Sequence, residues 1–195
     1  MDIEIRKLTP ELAEDYVRFF DVTPHDDGTV KDALPCYCIT WRSDNSYQGD
    51  DHWYPTREER RARALEFIKA GSLQGYLAYL GDEIVGWCNA TADCQLGVDY
   101  LREYWPTEER HADVKIKSIF CFVIAPKVQR MGVATQLTQH ICQDAAADGF
   151  DFVEAYTKKE HEAFDFSGPL AMYERCGFDE CAEKDGRVVV RKALK

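Results

Sequence analysis

A chain of 195 residues, 45% hydrophobic, 12% aromatic and 30% charged, suits one domain burying roughly 70% of its unfolded surface, which excludes a disordered, collagenous or low-complexity protein. The longest uninterrupted apolar run, Ile119 to Ala125, falls far short of the ~20 residues that cross a bilayer, and the opening residues lack the apolar stretch of a secretory signal, so a cytosolic protein without a membrane span is expected. The net charge of −11 is uneven: residues 1–110 hold 12 Lys and Arg against 22 Asp and Glu, residues 111–195 hold 12 against 13, and no basic stripe offers itself to a nucleic acid.

Ile3 to Leu8 alternates as a strand does and stops at Thr9-Pro10. Thr9 is placed to cap the helix that follows, with Pro10 at its first position and Leu12, Tyr16, Val17 and Phe20 on one face. Residues 21–55 read as a long irregular segment carrying Tyr37, Ile39, Trp41, Trp53 and Tyr54, and long loops with aromatics usually pack over something or serve function. Thr56 caps a second helix that runs to about Ala70 and ends at Gly71. Its arginines, Arg57, Arg60, Arg61 and Arg63, interleave with Glu58, Glu59 and Glu66 at helical spacing, which makes a mixed face and not a basic one.

Beyond the second helix the pattern turns to strands. Tyr76 to Leu80, the turn Gly81-Asp82, and Glu83 to about Ala90 read as a hairpin. Residues 94–113 form a polar, acidic and aromatic connection with no assigned element. Lys115 to Ala125 is the strongest strand and too apolar after Ile119 for an edge, so a central place in the sheet is expected. Pro126 ends it. Gly132 opens a helix with Val133, Ala134, Leu137, Ile141, Cys142 and Ala145 on one face, closed by Gly149. Phe152 to Tyr156 then reads as a strand, Pro169 to Cys176 as a helix ended by Gly177, and Phe178 to Ala182 with Arg187 to Ala193 as a hairpin around Asp185-Gly186. The order β, α, α, β, β, β, α, β, α, β, β makes one mixed α/β domain without internal repeat or linker.

Eight cysteines are too sparse for a disulfide scaffold, and several lie inside apolar runs, as reduced buried thiols do. Cys36 and Cys38 flank Tyr37 and could hold a metal with His25 or His52. Cys-x-Cys lacks the spacing of a zinc knuckle, however, and no second paired half follows, so no metal is expected.

The segment that carries chemistry is Ile124-Ala125-Pro126-Lys127-Val128-Gln129-Arg130-Met131-Gly132-Val133-Ala134, between a buried strand and a helix. A glycine there lets the backbone approach a ligand closely, and the first helical turn leaves N–H groups without partners. Those donors and the positive end of the helix dipole make a pyrophosphate cradle, beside which Lys127 and Arg130 add charge.

On these residues the chain resembles the GNAT superfamily of acyl-CoA N-acyltransferases, whose signature is Gln/Arg-x-x-Gly-x-Gly/Ala. Gln129-Arg130-Met131-Gly132-Val133-Ala134 fits it, the family's Val-x-Pro start appears as Ile124-Ala125-Pro126, and Tyr173-Glu174-Arg175-Cys176-Gly177-Phe178 matches its later Tyr-x-x-x-Gly-Phe. The resemblance is good from about residue 75 to the end and covers the first helices only by their order. It implies the GNAT-like fold, a central mixed sheet flanked by helices, with residues 1–74 as acceptor-side helices and loop and residues 75–195 as the coenzyme-binding core.

The resemblance further implies that backbone N–H groups from Gln129 through Arg130, Met131, Gly132 and Val133 to Ala134 hold the pyrophosphate of acetyl-CoA, with the Thr135 hydroxyl adding to them. Phe122, Val123 and Ile124 then lie on the strand that splays from its neighbour and pairs with the pantetheine arm. Tyr173 matches the tyrosine that often protonates the departing thiolate, and with an ordinary pKa of about 10 it holds its proton at neutral pH. Lys158 and Lys159 are within reach of the coenzyme's phosphate but read more simply as surface charges. Phe166 and Pro169 stand where many members have Asn and Ala, so the loop from Lys158 to Gly168 is expected to take its own course.

A general base is less plain, because the strand Ile116 to Ala125 has no carboxylate. Glu154 on the next strand is the first choice, ahead of Asp93 and His161, and backbone N–H groups of the central strand are placed to polarise a thioester carbonyl. The acidic first half with Tyr37, Trp41, Trp53 and Tyr54 suits a cationic primary amine, through ion pairing and cation-π contact, although the same residues also serve solubility and core packing. The function expected is transfer of an acetyl group to a small-molecule or peptide amine by direct attack in a ternary complex; the oligomeric state is open, a homodimer being common in the resembling family. The alternative is a module of the same fold that binds an acyl-CoA without turnover.

Overall fold

The computed structural model describes residues 2–23, 35–43, 54, 56–92, 101–102, 104–106, 113–160 and 165–195. Seven strands form one sheet in the order β1-β2-β3-β4-β5-β7-β6, where β1 is Glu4–Lys7, β2 Gly75–Leu80, β3 Glu83–Ala92, β4 Ile116–Ile124, β5 Phe152–Lys158, β6 Asp179–Lys184 and β7 Arg187–Ala193. All neighbours are antiparallel except β4 and β5, whose parallel pairing follows from the helical crossover between them. Among the described residues the α-helices with assigned bounds are α1, Ala13–Val22; α2, Arg57–Lys69; α3, Val133–Ala147; and α4, Leu170–Arg175. Element order and the central position of β4 agree with the sequence reading.

The entry to α1 differs from expectation. Thr9 makes no capping bond, because its hydroxyl meets the Glu11 carboxylate instead. The chain passes through a 3-10 turn, Pro10–Leu12, before α1 begins. α2 does start as read: the Thr56 hydroxyl accepts from the Glu59 N–H while the Glu59 carboxylate accepts from the Thr56 N–H, a reciprocal capping box.

One hydrophobic core spans both faces of the sheet. On one face, α3 lays Val133, Leu137, Ile141 and Ala145 on the strands, and Tyr76 of β2 donates to Asp144. On the other, Tyr16 of α1 meets Trp87 of β3 edge to face at 4.7 Å, and residues 35–43 cover β4. Asp21 ties this second layer together, accepting from the Tyr37 hydroxyl at 2.6 Å and from Arg61 at 3.1 Å, with Arg57 at 3.6 Å. Burial alone would raise the Asp21 carboxyl's pKa, but Tyr37 and Arg61 outweigh it and hold the group below its ordinary value. The arginines of α2 are thus taken up within the chain: Arg60 donates to the Tyr54 carbonyl, and Arg63 pairs with Glu66 at the surface.

Seven of the cysteines lie within the described residues and all are free thiols. Cys38 hydrogen-bonds Cys121 of β4, and that bond and burial keep Cys121 protonated, its pKa pushed well above the usual thiol value. Among the described residues no group of three or more His, Cys, Asp or Glu could hold a metal, and His25 and His52 lie outside those residues. No helix among the described residues is long and apolar enough to cross a membrane.

Candidate functional site

β4 carries two features that shape the site. Asn89 pairs with Cys121 and Ala90 with Ile119, so Phe120 is an extra residue, a bulge that bends β4. Pairing with β5 runs from Ile116–Phe152 to Ile119–Ala155 and stops there. Past that point the two central strands part, and the Phe122 N–H points into the opening.

At the far end of β4 the chain turns sharply into α3. Val128, Gln129 and Met131 donate to the carbonyls of Ala125, Pro126 and Val128, and the Gln129 side-chain amide reaches back to the Ile124 carbonyl at 3.2 Å. Arg130 has φ 62° and Gly132 φ 85°. Both lie in the left-handed region, where a side chain is strained and glycine is not. A Cβ on Gly132 would meet nothing within 4 Å, so the glycine is required by the turn and leaves clear space above it. No side chain caps α3, which leaves the first-turn N–H groups of Val133, Ala134 and Thr135 without helical acceptors. Gln129, Arg130, Met131 and Gly132 are exposed, Ala134 and Thr135 half-buried, and Val133 buried. The arrangement fits a pyrophosphate: several N–H donors, a helix N-terminus and open space. Of the two flanking cations, Lys127 is bound to Glu83 of the β2–β3 hairpin.

The opening between β4 and β5 is differently furnished, because residues 165–168 pass through it as a strap. The Phe122 N–H donates to the Phe166 carbonyl at 2.6 Å, the Thr157 hydroxyl to the Gly168 carbonyl at 2.6 Å, and the Tyr173 hydroxyl to the Ser167 carbonyl at 2.7 Å. Lys158 and Asp165 close an ion pair of 2.5 Å at the strap's start. Gly168 fits because a Cβ there would lie 3.0 Å from Met172 and 3.3 Å from the Phe122 ring, at a φ of 79°. Lys159 pairs with Glu183. The sequence showed that this loop departs from the usual pattern, but the bonds to its carbonyls leave no mark in a residue pattern.

Tyr173 stands on α4, fully buried, with its ring against Phe178 at 5.2 Å and toward Phe122 at 6.5 Å. Burial pushes its pKa well above 10, so it keeps its proton at neutral pH. Glu154 lies on the opposite face of β5 from the strap. Its carboxylate accepts two bonds from Arg191 of β7, at 2.6 and 3.0 Å, and one from the Tyr156 hydroxyl at 2.6 Å, while Ser118 Oγ lies 3.3 Å from Tyr156 Oη. Asp93 and His161 lie outside the described residues.

The structure also gathers three rings that the sequence left apart. Phe120 stacks on Tyr156 at 5.6 Å across the point where β4 and β5 separate, and Trp41 stacks on Phe120 at 4.8 Å with planes 7° apart. Of the other aromatics expected to meet an amine, Tyr37 is buried in the core, Tyr54 lies 5.3 Å under Arg63, and Trp53 is outside the described residues. Stacking between residues 36 and 79 positions apart has no local sequence signal.

Residues 33–178 match the family model described as the acetyltransferase (GNAT) family. No curated protein matches the chain. Solved structures share the fold over essentially the whole chain at low identity. A GNAT-family acetyltransferase from Streptococcus pneumoniae is 19% identical with a TM-score of 0.57, each chain covered in full. The PaiA N-acetyltransferase of Thermoplasma acidophilum, solved with coenzyme A, is 13% identical with a TM-score of 0.54, covering 99% of each chain. The ribosomal-protein-S18-alanine N-acetyltransferase of Escherichia coli is 12% identical with a TM-score of 0.53, covering 99% of this chain and 94% of that one.

Proposed function

Because the chain belongs to the acetyltransferase (GNAT) family, we propose that it transfers an acetyl group from acetyl-CoA to a primary amine by direct attack in a ternary complex. The observation that carries this reading is the uncapped first turn of α3 behind a left-handed Gly132, set beside the parting of β4 and β5. In this reading residues 75–195 bind the coenzyme and residues 1–74 frame the acceptor. The donor supplies an activated acyl group: as the C–N bond forms and the C–S bond breaks, the thiolate needs a proton and the amine must lose one.

The chain's own residues account for those needs. N–H groups and dipole of the turn from Gln129 to Thr135 hold the pyrophosphate, and Phe122, Val123 and Ile124 offer backbone to the pantetheine arm. The Phe122 N–H polarises the thioester carbonyl at the place the Phe166 carbonyl now takes, so the strap moves aside when the donor enters. Tyr173, freed from Ser167, gives its proton to the thiolate. Glu154 acts through the Tyr156 hydroxyl: as the amine proton passes to Tyr156 Oη, the proton of Tyr156 passes to Glu154 Oε1. Arg191 fixes that carboxylate in place through two hydrogen bonds. The acceptor is a cationic amine, small or peptide-borne. Trp41 is the expected aromatic contact that lies beside the opening.

Melting the purified protein with and without acetyl-CoA tests the donor site. A ligand at ~100 times its dissociation constant adds roughly 2.7 kcal/mol to stability, and no shift at saturation sinks the reading. A non-catalytic acyl-CoA-binding module is the second reading, favoured by one observation: the groups with chemical roles, Phe122 N–H and Tyr173 hydroxyl, are already satisfied within the chain. Thiol release in an amine screen separates the two.

A further inference from the structure

The rings at the parting of the central strands bear on which acyl group the site takes, a question that rests on the donor reading above. A thioester carbon has three substituents. With its oxygen on the Phe122 N–H and its sulfur toward Tyr173, on the face covered by α3 and α4, the alkyl group is left one direction. It points along β4 toward the closed end of the opening and toward the opposite face of the sheet. From Phe122 to Phe120 is roughly 7 Å of strand, and there the path meets the stacked rings of Phe120 and Tyr156.

These rings are braced from several sides. The Tyr156 hydroxyl is held by Glu154, itself clamped by Arg191. Trp41 backs Phe120 from outside, and its carbonyl accepts from the Asn89 side chain at 3.1 Å, whose oxygen in turn accepts from Thr91 at 3.0 Å. Phe120 is 7% exposed and Tyr156 3%, so neither ring can swing into solvent to make room. Ile119 and Ala155, paired directly behind them, are buried as well. We infer that Phe120 and Tyr156, backed by Trp41, form the end wall of the acyl pocket and restrict the donor to short acyl groups.

The test needs no knowledge of the acceptor, because it reads donor binding alone. Calorimetric titration of the intact protein with free coenzyme A and with its acetyl, butyryl and hexanoyl thioesters gives a series in chain length. Hexanoyl-CoA is expected to bind wild type at least 10-fold more weakly than acetyl-CoA. In Phe120→Ala the ratio should fall to about threefold or less, with Trp41→Ala intermediate because it removes only the backing. Phe120→Leu keeps the question open to measurement where the alanine variant does not fold, and it should shift the ratio in the same direction. Equal wild-type affinity for acetyl and hexanoyl thioesters, or a ratio indifferent to residue 120, overturns the end wall while leaving the donor site standing. Failure of free coenzyme A to bind wild type overturns both.

Discussion

The two ends of the opened half of β4 prepare for a ligand in opposite ways. Where β4 turns into α3, the first-turn N–H groups of Val133, Ala134 and Thr135 have no helical acceptor, the helix is uncapped and a Cβ on Gly132 would touch nothing. Three residues into the opening, the Phe122 N–H and the Tyr173 hydroxyl already have partners in the strap. On the proposed reading the difference teaches an order of events: the charged end of the donor meets a finished site, while the reactive end meets one that must be uncovered. Binding energy from the finished end is then available to displace the strap.

The sharpest way to break this comparison is at the proton donor. Tyr173→Phe should lower acetyl transfer by about 100-fold or more while changing coenzyme affinity only a few-fold, because it removes the acid and leaves the cradle. Parallel measurement of kcat and of the coenzyme's Kd checks it, and equal losses in both would make Tyr173 a packing residue. The cradle comes next. Gly132→Trp places a side chain at φ 85° and fills the space above the turn, so the ~2.7 kcal/mol of stabilisation by saturating acetyl-CoA should vanish from the melting curve.

The strap offers a smaller effect of opposite sign. Asp165→Asn removes the charge that Lys158 holds at 2.5 Å, loosens the segment over the Phe122 N–H, and should tighten coenzyme binding several-fold by calorimetry. Weaker binding would mean that the strap supports the site and does not cover it. Stability alone is at stake in the anchor that carries residues 35–43, and with them Trp41. Asp21 has a depressed pKa in the folded state, so its contribution is complete above the unfolded value of about 3.9 and is lost as pH falls through the folded value. Asp21→Asn should therefore cost roughly 1 to 2 kcal/mol at pH 7, with the gap to wild type closing below pH 4 in a melting series. A gap independent of pH would show that charge is not what Asp21 contributes.

Much of the molecule was legible from residue order because it is local. Apolar spacing announced α3, Thr56 announced the start of α2, and Gly132 announced the turn that opens α3. Thr9 misled, since a hydroxyl there can bond to a carboxylate two residues on as readily as to a helix N–H. What stayed hidden is long-range: Glu154 meets Arg191 only because β7 returns beside β5, and Trp41 meets Phe120 only because a loop folds over the sheet. The strap was half visible, as Phe166 and Pro169 in unusual places, yet its contacts are made by carbonyls, which every residue has.

Phe120 has one more consequence. Ile119 and Cys121 pair with adjacent residues of β3, so excising Phe120 would leave β4 in unbroken register with β3 and straighten it beside β5. The opening into which a donor would thread thus begins at a single inserted residue, a feature of the backbone's count that replacing side chains leaves in place.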